Sequence, residues 1–105
     1  MKNNTMLLLE CKNWTKKADS SDVAWFDWKM KLGGVEHGVM ISAQGITGDQ
    51  KRRTFAAAIV AKALTEKRFI YIVTLSELEA LSSIQDLREL LIDKRIGMTA
   101  GDPFS

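Results

Sequence analysis

Residues 38–50 read GVMISAQGITGDQ, an apolar segment followed by a glycine-containing turn and a polar stretch. Residues 38–43 predict a short strand, because a compact apolar run bounded by turn residues is typical of one. Thr47 and Gln50 have the spacing of a capping box, which predicts a helix from about residue 48 to 67. A strand, a tight turn and a long helix in succession indicate an α/β fold.

The flanking segments repeat this alternation of strand and helix. Ser20 or Ser21 can cap a helix that the Gly33-Gly34 pair ends, and Ser76 with Glu79 forms a second capping box. The order β-α-β-α-β-α predicts a three-layer α/β fold with a short, mainly parallel sheet joined by right-handed crossovers. The predicted elements are strand 5–12, helix 22–32, strand 38–43, helix 48–67, strand 69–73, a short helix after residue 76 and helix 84–95.

Length and composition predict one domain, over residues 1–96, with an irregular tail over 97–105. The chain has 105 residues, of which 46% are hydrophobic, and such a chain supports one core. No apolar run approaches the roughly 18–20 residues that cross a bilayer, so no membrane association is expected. The single Cys11 lies in an apolar run that predicts a strand covered on both faces, which makes it a buried core thiol. A reducing, cytoplasmic location is therefore expected.

Glu10-Cys11-Lys12 is the candidate for chemistry. Strand side chains alternate faces, so Glu10 and Lys12 project the same way. A carboxylate can hold Mg²⁺, and a neighbouring cation can orient the attacking water and offset charge during phosphodiester hydrolysis. The same three residues also suit a solvated ion pair at the end of a strand.

A longer resemblance accompanies that short motif. LLLECKNW at 7–14, HGVMISAQGITGDQKRR at 37–53 and RFIYIVTLSELEAL at 68–81 together resemble the PD-(D/E)XK nuclease superfamily, and within it the Mrr-type restriction-endonuclease-like branch. The resemblance covers about residues 5–81. It implies a truncated restriction-endonuclease-like core, DNA as substrate and partner, and Mg²⁺ as cofactor, with Mn²⁺ able to substitute. It also implies that Glu10 is the metal-binding carboxylate, Lys12 the catalytic lysine and Gln44 a residue lining the site.

The chain departs from the family pattern at its start. The family carries an Asp on the strand before Glu-x-Lys and usually an acidic helix before that, whereas residues 1–9 contain no acid. Three explanations remain open: the chain is a shortened or fragmentary product that has lost most activity, another chain completes the site, or an acid such as Asp22 or Asp27 substitutes. Both of these aspartates also suit ordinary helix-start or surface positions.

Basic residues are concentrated in the half of the chain that carries these motifs. Residues 1–60 hold nine Lys and Arg against six Asp and Glu, a modest sign of a polyanionic partner. Lys51, Arg52 and Arg53 fall in the first turn of the second long helix, where cations oppose the helix dipole. A DNA phosphate would favour them there, while a tolerated basic surface or a nucleotide-phosphate site are the alternatives.

The sequence thus predicts a Mg²⁺-dependent DNA endonuclease-like domain, incomplete or inactive as an isolated chain. The alternative is a non-catalytic module that binds nucleic acid or assembles with a partner. An apolar first strand without its usual covering hairpin also predicts a homodimer, or a partner chain that covers this strand.

Aromatic side chains are the last candidates for a functional role. Trp25 and Trp28 have helical spacing, which favours packing in the core or an interface over stacking on bases. His37 has no Cys or His neighbours and is expected at the surface, at the start of a strand.

Overall fold

The computed structural model describes residues 6–12 and 16–104. It has a three-stranded sheet in the order β1-β2-β3, and both neighbouring pairs are parallel. The α/β class and the parallel sheet predicted from the sequence are confirmed. The elements are β1 Leu7–Lys12, α1 Ser20–Gly33, β2 His37–Ser42, α2 Gln50–Thr65, β3 Phe69–Thr74, α3 Leu75–Glu79 and α4 Ile84–Thr99.

Helix α1 packs tightly on one face of the sheet. Phe26 and Met30 are fully buried and lie against Gly38 of β2. A Cβ atom at Gly38 would stand 2.7 Å from the Met30 sulfur and 2.7 Å from the Phe26 ring, so glycine is required for this close approach. Helix α2 packs against α1 and β3 and buries Ala56, Val60 and Ala63.

The helix caps differ from those predicted, although the helices themselves agree. Asp19, rather than Ser20 or Ser21, caps α1, and Asp22 completes a capping box by accepting from the Asp19 N–H. Asp49, rather than Thr47, caps α2. Each aspartate lies in extended backbone one residue before its helix, where its carboxylate can accept first-turn N–H groups.

The third helix begins earlier than predicted. Thr74 caps α3 and Glu77 completes the capping box, so the predicted Ser76 and Glu79 pair is wrong. Because Thr74 is the last residue of β3, strand and helix follow each other without a loop.

The last helix is longer than predicted. Helix α4 continues to Thr99, so the irregular tail begins three residues later than the predicted position 97. Met98 is buried in the core and Pro103 is buried beyond the helix. Met98 and Pro103 are therefore packed against the domain, whereas residues 99–102 are exposed.

The two faces of the sheet differ, and this corrects the expectation that β1 is covered on both sides. Along β1, exposed and half-buried residues alternate: Leu7, Leu9 and Cys11 are exposed. Helix α4 contacts β3 on this same face. Its Arg95 lies over the Phe69 ring, and Phe69 is aligned with His37 and Leu7 across the sheet. Cys11 is thus an exposed thiol, because no helix of the described chain covers β1 there.

None of the helices among the described residues is long and apolar enough to cross a membrane.

Candidate functional site

Glu10 and Lys12 lie side by side near the carboxyl end of the edge strand β1. The Lys12 Nζ is 3.4 Å from the Glu10 Oε2, and each side chain keeps about a fifth of its surface exposed. Both lie on the helix-covered face, since they alternate with the exposed Leu9 and Cys11. Ligand sites of parallel sheets usually form at this carboxyl edge.

Asp22 joins this pair from the first turn of α1. Its Oδ1 is 3.6 Å from the Lys12 Nζ, while its Oδ2 accepts the Asp19 N–H at 3.0 Å. The capping bond therefore fixes Asp22 with one oxygen turned toward Lys12. One ammonium group thus lies between two carboxylates that come from different elements.

Lys29 is a member of the cluster that the sequence analysis missed. Its Nζ pairs with the Glu10 Oε1, so the two oxygens of Glu10 each meet a different lysine. Asp22 and Lys29 are seven residues apart on one helix, and that spacing places them on the same face. This spacing could have indicated that Lys29 joins Asp22 in the cluster, but only once α1 was known to pack beside β1.

Asp27, the other candidate for a substitute acid, lies elsewhere. It is buried, and its carboxylate pairs with Arg68 at 3.0 Å and with Lys31 at 3.5 Å. Arg68 also holds Glu66 at 2.6 Å. Asp27 therefore belongs to a structural ion-pair network near the amino end of the sheet, where Arg68 immediately precedes β3.

Backbone hydrogen bonds join the segment that precedes α1 to the segment that precedes α2. Ala18 donates to the Gly45 carbonyl at 2.8 Å, and Thr47 donates to the Ala18 carbonyl at 2.7 Å. Gly45 has a φ of +77°, a left-handed conformation that suits glycine. These bonds bring the loop after β2 beside the Glu10–Lys12–Asp22 cluster.

Arg52 extends the charged cluster across that junction. Its Nη1 is 3.6 Å from the Asp19 Oδ2. A hydrogen bond from the Ser21 hydroxyl, with backbone N–H bonds and the Arg52 charge, outweighs burial and holds the pKa of Asp19 below its ordinary value. A continuous series of ionised groups thus runs along the carboxyl edge of the sheet, from Lys29 through Glu10, Lys12 and Asp22 to Asp19 and Arg52.

The three predicted basic residues at the start of α2 do not converge on one point. Arg52 turns to Asp19, Arg53 lies over the Phe104 ring at 5.2 Å, and Lys51 is exposed. The Arg52 N–H already donates to the Asp49 carboxylate, so this helix start is capped by an acid of its own. Adjacent helical positions point about 100° apart, which explains the divergence. Gln44 is exposed in the turn that follows β2.

Trp25 and Trp28 are exposed, so the expectation that they pack in the core is wrong, while packing in an interface stays a prediction. Their side chains are 53% and 49% exposed, and their rings stack at 5.0 Å between centroids. The Lys29 Nζ lies 5.8 Å from the Trp25 ring centroid. The opposite stripe of α1, which includes Phe26 and Met30, occupies the core instead.

His37 lies at the far end of the sheet from this cluster. It begins β2, stacks on Phe69 at 5.0 Å, and its Nδ1 is 3.3 Å from the Tyr71 hydroxyl. Burial raises the pKa of Tyr71 above its ordinary value. His37 pairs with Leu7, three residues before Glu10 on β1, so it does not belong to the Glu10 cluster.

Comparison of the chain with protein-family models, curated proteins and solved structures found no significant match in any of the three. Within residues 6–12 and 16–104 there is also no group of three or more His, Cys, Asp or Glu side chains suited to a metal ion. The carboxyl-edge cluster offers two carboxylates, Glu10 and Asp22, around Lys12.

Proposed function

We propose that this chain is a Mg²⁺-dependent endonuclease-like domain that hydrolyses phosphodiester bonds of DNA at the Glu10–Lys12–Asp22 cluster. One observation carries the proposal: Lys12 lies within 3.6 Å of two carboxylates from separate elements at the carboxyl edge of the sheet. In the resemblance to the PD-(D/E)XK superfamily, Glu10 and Lys12 occupy the matching positions. Asp22 is then the substitute for the acid that the family carries upstream.

Glu10 and Asp22 are two carboxylates that Mg²⁺ could bind if it displaced Lys12 from between them. This ion is usually held by one or two carboxylates together with water molecules and substrate phosphates, and not by a full protein cage. Glu10 and Asp22 would be the protein ligands, and Mn²⁺ would substitute for Mg²⁺. Bound there, the ion would lower the pKa of a water molecule and offset charge on the phosphate.

The chain's own residues supply the remaining requirements. Lys12 pairs with Glu10 and Asp22 in the free protein. Displaced by the ion, its ammonium group would be able to donate to a phosphate oxygen and offset the negative charge that develops during hydrolysis. Arg52 and Lys51 lie on the adjacent helix start and would position the phosphate backbone without reading its sequence. Lys29 neutralises Glu10 in the free protein, so it competes with a cation for that carboxylate.

The alternative function is a non-catalytic nucleic-acid-binding module on the same scaffold. The observation that favours it is that Glu10 already has two ammonium partners, one on each oxygen. The two lysines neutralise this carboxylate without a metal ion. DNA would then bind through the basic residues, without cleavage.

Cleavage of supercoiled plasmid in Mg²⁺ or Mn²⁺, with EDTA as the blank, tests the first function. Glu10→Gln and Asp22→Asn should each reduce the rate by roughly 100-fold, the effect of losing one group that stabilises a transition state. Asn at position 22 keeps an oxygen for the α1 cap, so the fold is retained. Glu36→Gln is the matched control, since Glu36 is exposed at the other end of the sheet, directly before β2.

Direct Mn²⁺ binding, measured by calorimetry, separates metal binding from turnover. Lys29→Met should tighten Mn²⁺ binding, because it frees one oxygen of Glu10, and Glu10→Gln should abolish it. Plasmid cleavage that persists in Glu10→Gln would reject the site. DNA binding without cleavage, weakened by Arg52→Ala but not by Lys62→Ala, would establish the non-catalytic alternative.

The cytoplasm is the proposed location. Its reducing conditions suit an exposed, unpaired Cys11.

A further inference from the structure

We infer that the stacked pair Trp25 and Trp28 is a base-stacking platform that directs the site to single-stranded DNA. This inference rests on the proposed function and names its substrate class. The platform is defined by the two tryptophan side chains on the outer stripe of α1, with Lys29 beside them.

The first argument is exposure. Tryptophan is among the more buried residues on average, yet both of these side chains leave about half of their surface open. The two rings stack on each other, with planes 16° apart and centroids 5.0 Å apart. A base would therefore contact the exposed part of the stacked pair and would not enter between the rings. The helix positions both rings, since they are three residues apart on one side of α1.

The second argument is proximity to the Glu10 cluster. Lys29 joins the two: its Nζ pairs with the Glu10 carboxylate and lies 5.8 Å from the Trp25 ring centroid. A base stacked on the platform would therefore place its own or the next phosphate close to Glu10 and Lys12. The spacing suits a substrate that is held by its base and cut at its backbone.

The third argument is charge. Three cations follow the carboxyl edge beside the platform: Lys29, Lys12 and Arg52. In the free protein they are paired with the carboxylates of Glu10, Asp22 and Asp19, so a phosphate backbone would bind by exchanging with those carboxylates. Non-specific binding of single strands combines a basic track for the backbone with aromatic rings for the bases. In a duplex, each base face is already covered by its neighbours, so only unpaired bases can stack on side chains.

Binding of fluorescein-labelled oligothymidine 20-mer, measured by anisotropy in EDTA, tests this inference. EDTA prevents cleavage, so the result is independent of whether the site is catalytic. The single strand should bind at least about five-fold more tightly than a duplex 20-mer. Trp25→Leu and Trp28→Leu should each weaken its binding by roughly five-fold or more, the usual loss per stacked base.

Phe55→Leu is the matched control. Phe55 is an aromatic side chain on α2, 53% exposed, and its replacement should leave binding within two-fold. Trp25→Phe should retain most of the affinity, because phenylalanine still offers a ring face. Far-ultraviolet circular dichroism and melting of each variant show that the fold is kept.

Three outcomes would overturn the inference. These are equal or tighter binding of the duplex, unchanged affinity in both tryptophan variants, and a change of molecular mass in those variants that shows a protein docking surface instead. Oligothymidine binding that requires both tryptophans, without cleavage in Mg²⁺, would uphold the platform and reject catalysis. Cleavage at an unchanged rate in both tryptophan variants would support catalysis and reject the platform.

Discussion

The two faces of the same small sheet have different environments along the edge strand β1. On the covered face, Gly38 and Ile70 are buried beneath helices, and Glu10 and Lys12 line the rim. On the open face, Leu7 and Leu9 are more than half exposed, although they alternate along the same strand with half-buried neighbours. The covered face therefore carries the candidate chemistry at its rim. The open face is exposed along β1 alone, since α4 contacts β3 and Tyr71 and Val73 are buried there.

The largest expected difference between the faces is in the cost of removing a side chain. Phe26→Ala should lower the free energy of unfolding by about 3–5 kcal/mol, because it leaves a cavity in the covered core. Leu9→Ala, on the open face, should cost less than about 0.5 kcal/mol, as surface substitutions usually do. Urea denaturation of both variants checks this, and similar losses would mean that the open face is covered in solution.

The next effect concerns the tight contact beneath α1. Gly38→Ala should destabilise the fold by about 1–3 kcal/mol, the usual cost of overpacking, because its methyl group would meet Phe26 and Met30 at 2.7 Å. Gly48→Ala is the control, since a Cβ there meets no atom within 4 Å. Thermal melting of the pair should show a lower Tm for Gly38→Ala alone.

A smaller, pH-dependent effect is expected where α4 joins the sheet. Lys94 is 4% exposed and its Nζ is 2.8 Å from Glu77. Burial raises the pKa of Glu77, but hydrogen bonds from Lys94 and from the Thr74 N–H outweigh it, and the pKa lies below its ordinary value of 4.5. The pair's stabilisation is thus complete above pH 4.5 and is lost as the pH falls through the lowered pKa.

Glu77→Gln should remove this part of the acid dependence and cost about 1–3 kcal/mol at pH 7, as for a buried group left without its partner. Denaturation between pH 3 and 7 measures it. The exposed Glu79→Gln is the control, and an identical pH profile in wild type and Glu77→Gln would contradict the assignment.

The homodimer stays a prediction, and among these predictions it is expected to have the smallest effect on stability. The row Leu9–Val39–Tyr71 crosses the open face and leads into a groove lined by Ile84 and Ile92 of α4. Val39 and Tyr71 are themselves buried and α4 contacts β3, so the exposed part of this face is β1, a strip on the order of 100 Å² in plan for one strand about 20 Å long and about 4.8 Å wide. Stable dimers bury about 800 Å² per partner, so a second copy should bind here weakly, with a Kd in the micromolar range.

Leu9→Lys should make the protein monomeric at concentrations where the wild type is a dimer, as measured by sedimentation. Leu32→Lys is the matched control, because Leu32 is 72% exposed on α1, away from this face. Alkylation of Cys11, which shares the open face, should slow as the wild-type concentration rises. A wild type that is monomeric throughout, or a dimer that survives Leu9→Lys, would refute this dimer.

Much of the candidate site followed from local rules, and the rest needed contacts between distant parts of the chain. The alternation of a strand was enough to put Glu10 beside Lys12. Asp22 and Asp27 were equal as substitute acids until α1 packed on the sheet, which turned Asp22 to Lys12 and Asp27 to Arg68. Lys29 was missed for the same reason.

By itself, the sequence determined the order of strands and helices, their positions to within a few residues and the shared face of Glu10 and Lys12. These depend on backbone periodicity and on caps that act over three or four residues. The tertiary structure decided which face of β1 is covered, which stripe of α1 is buried and which tryptophans reach solvent. Residues 6–9 are apolar on both faces and α1 is apolar on two stripes. Either face of β1 and either stripe of α1 could therefore have been buried, and only the packing of whole elements selected one of each.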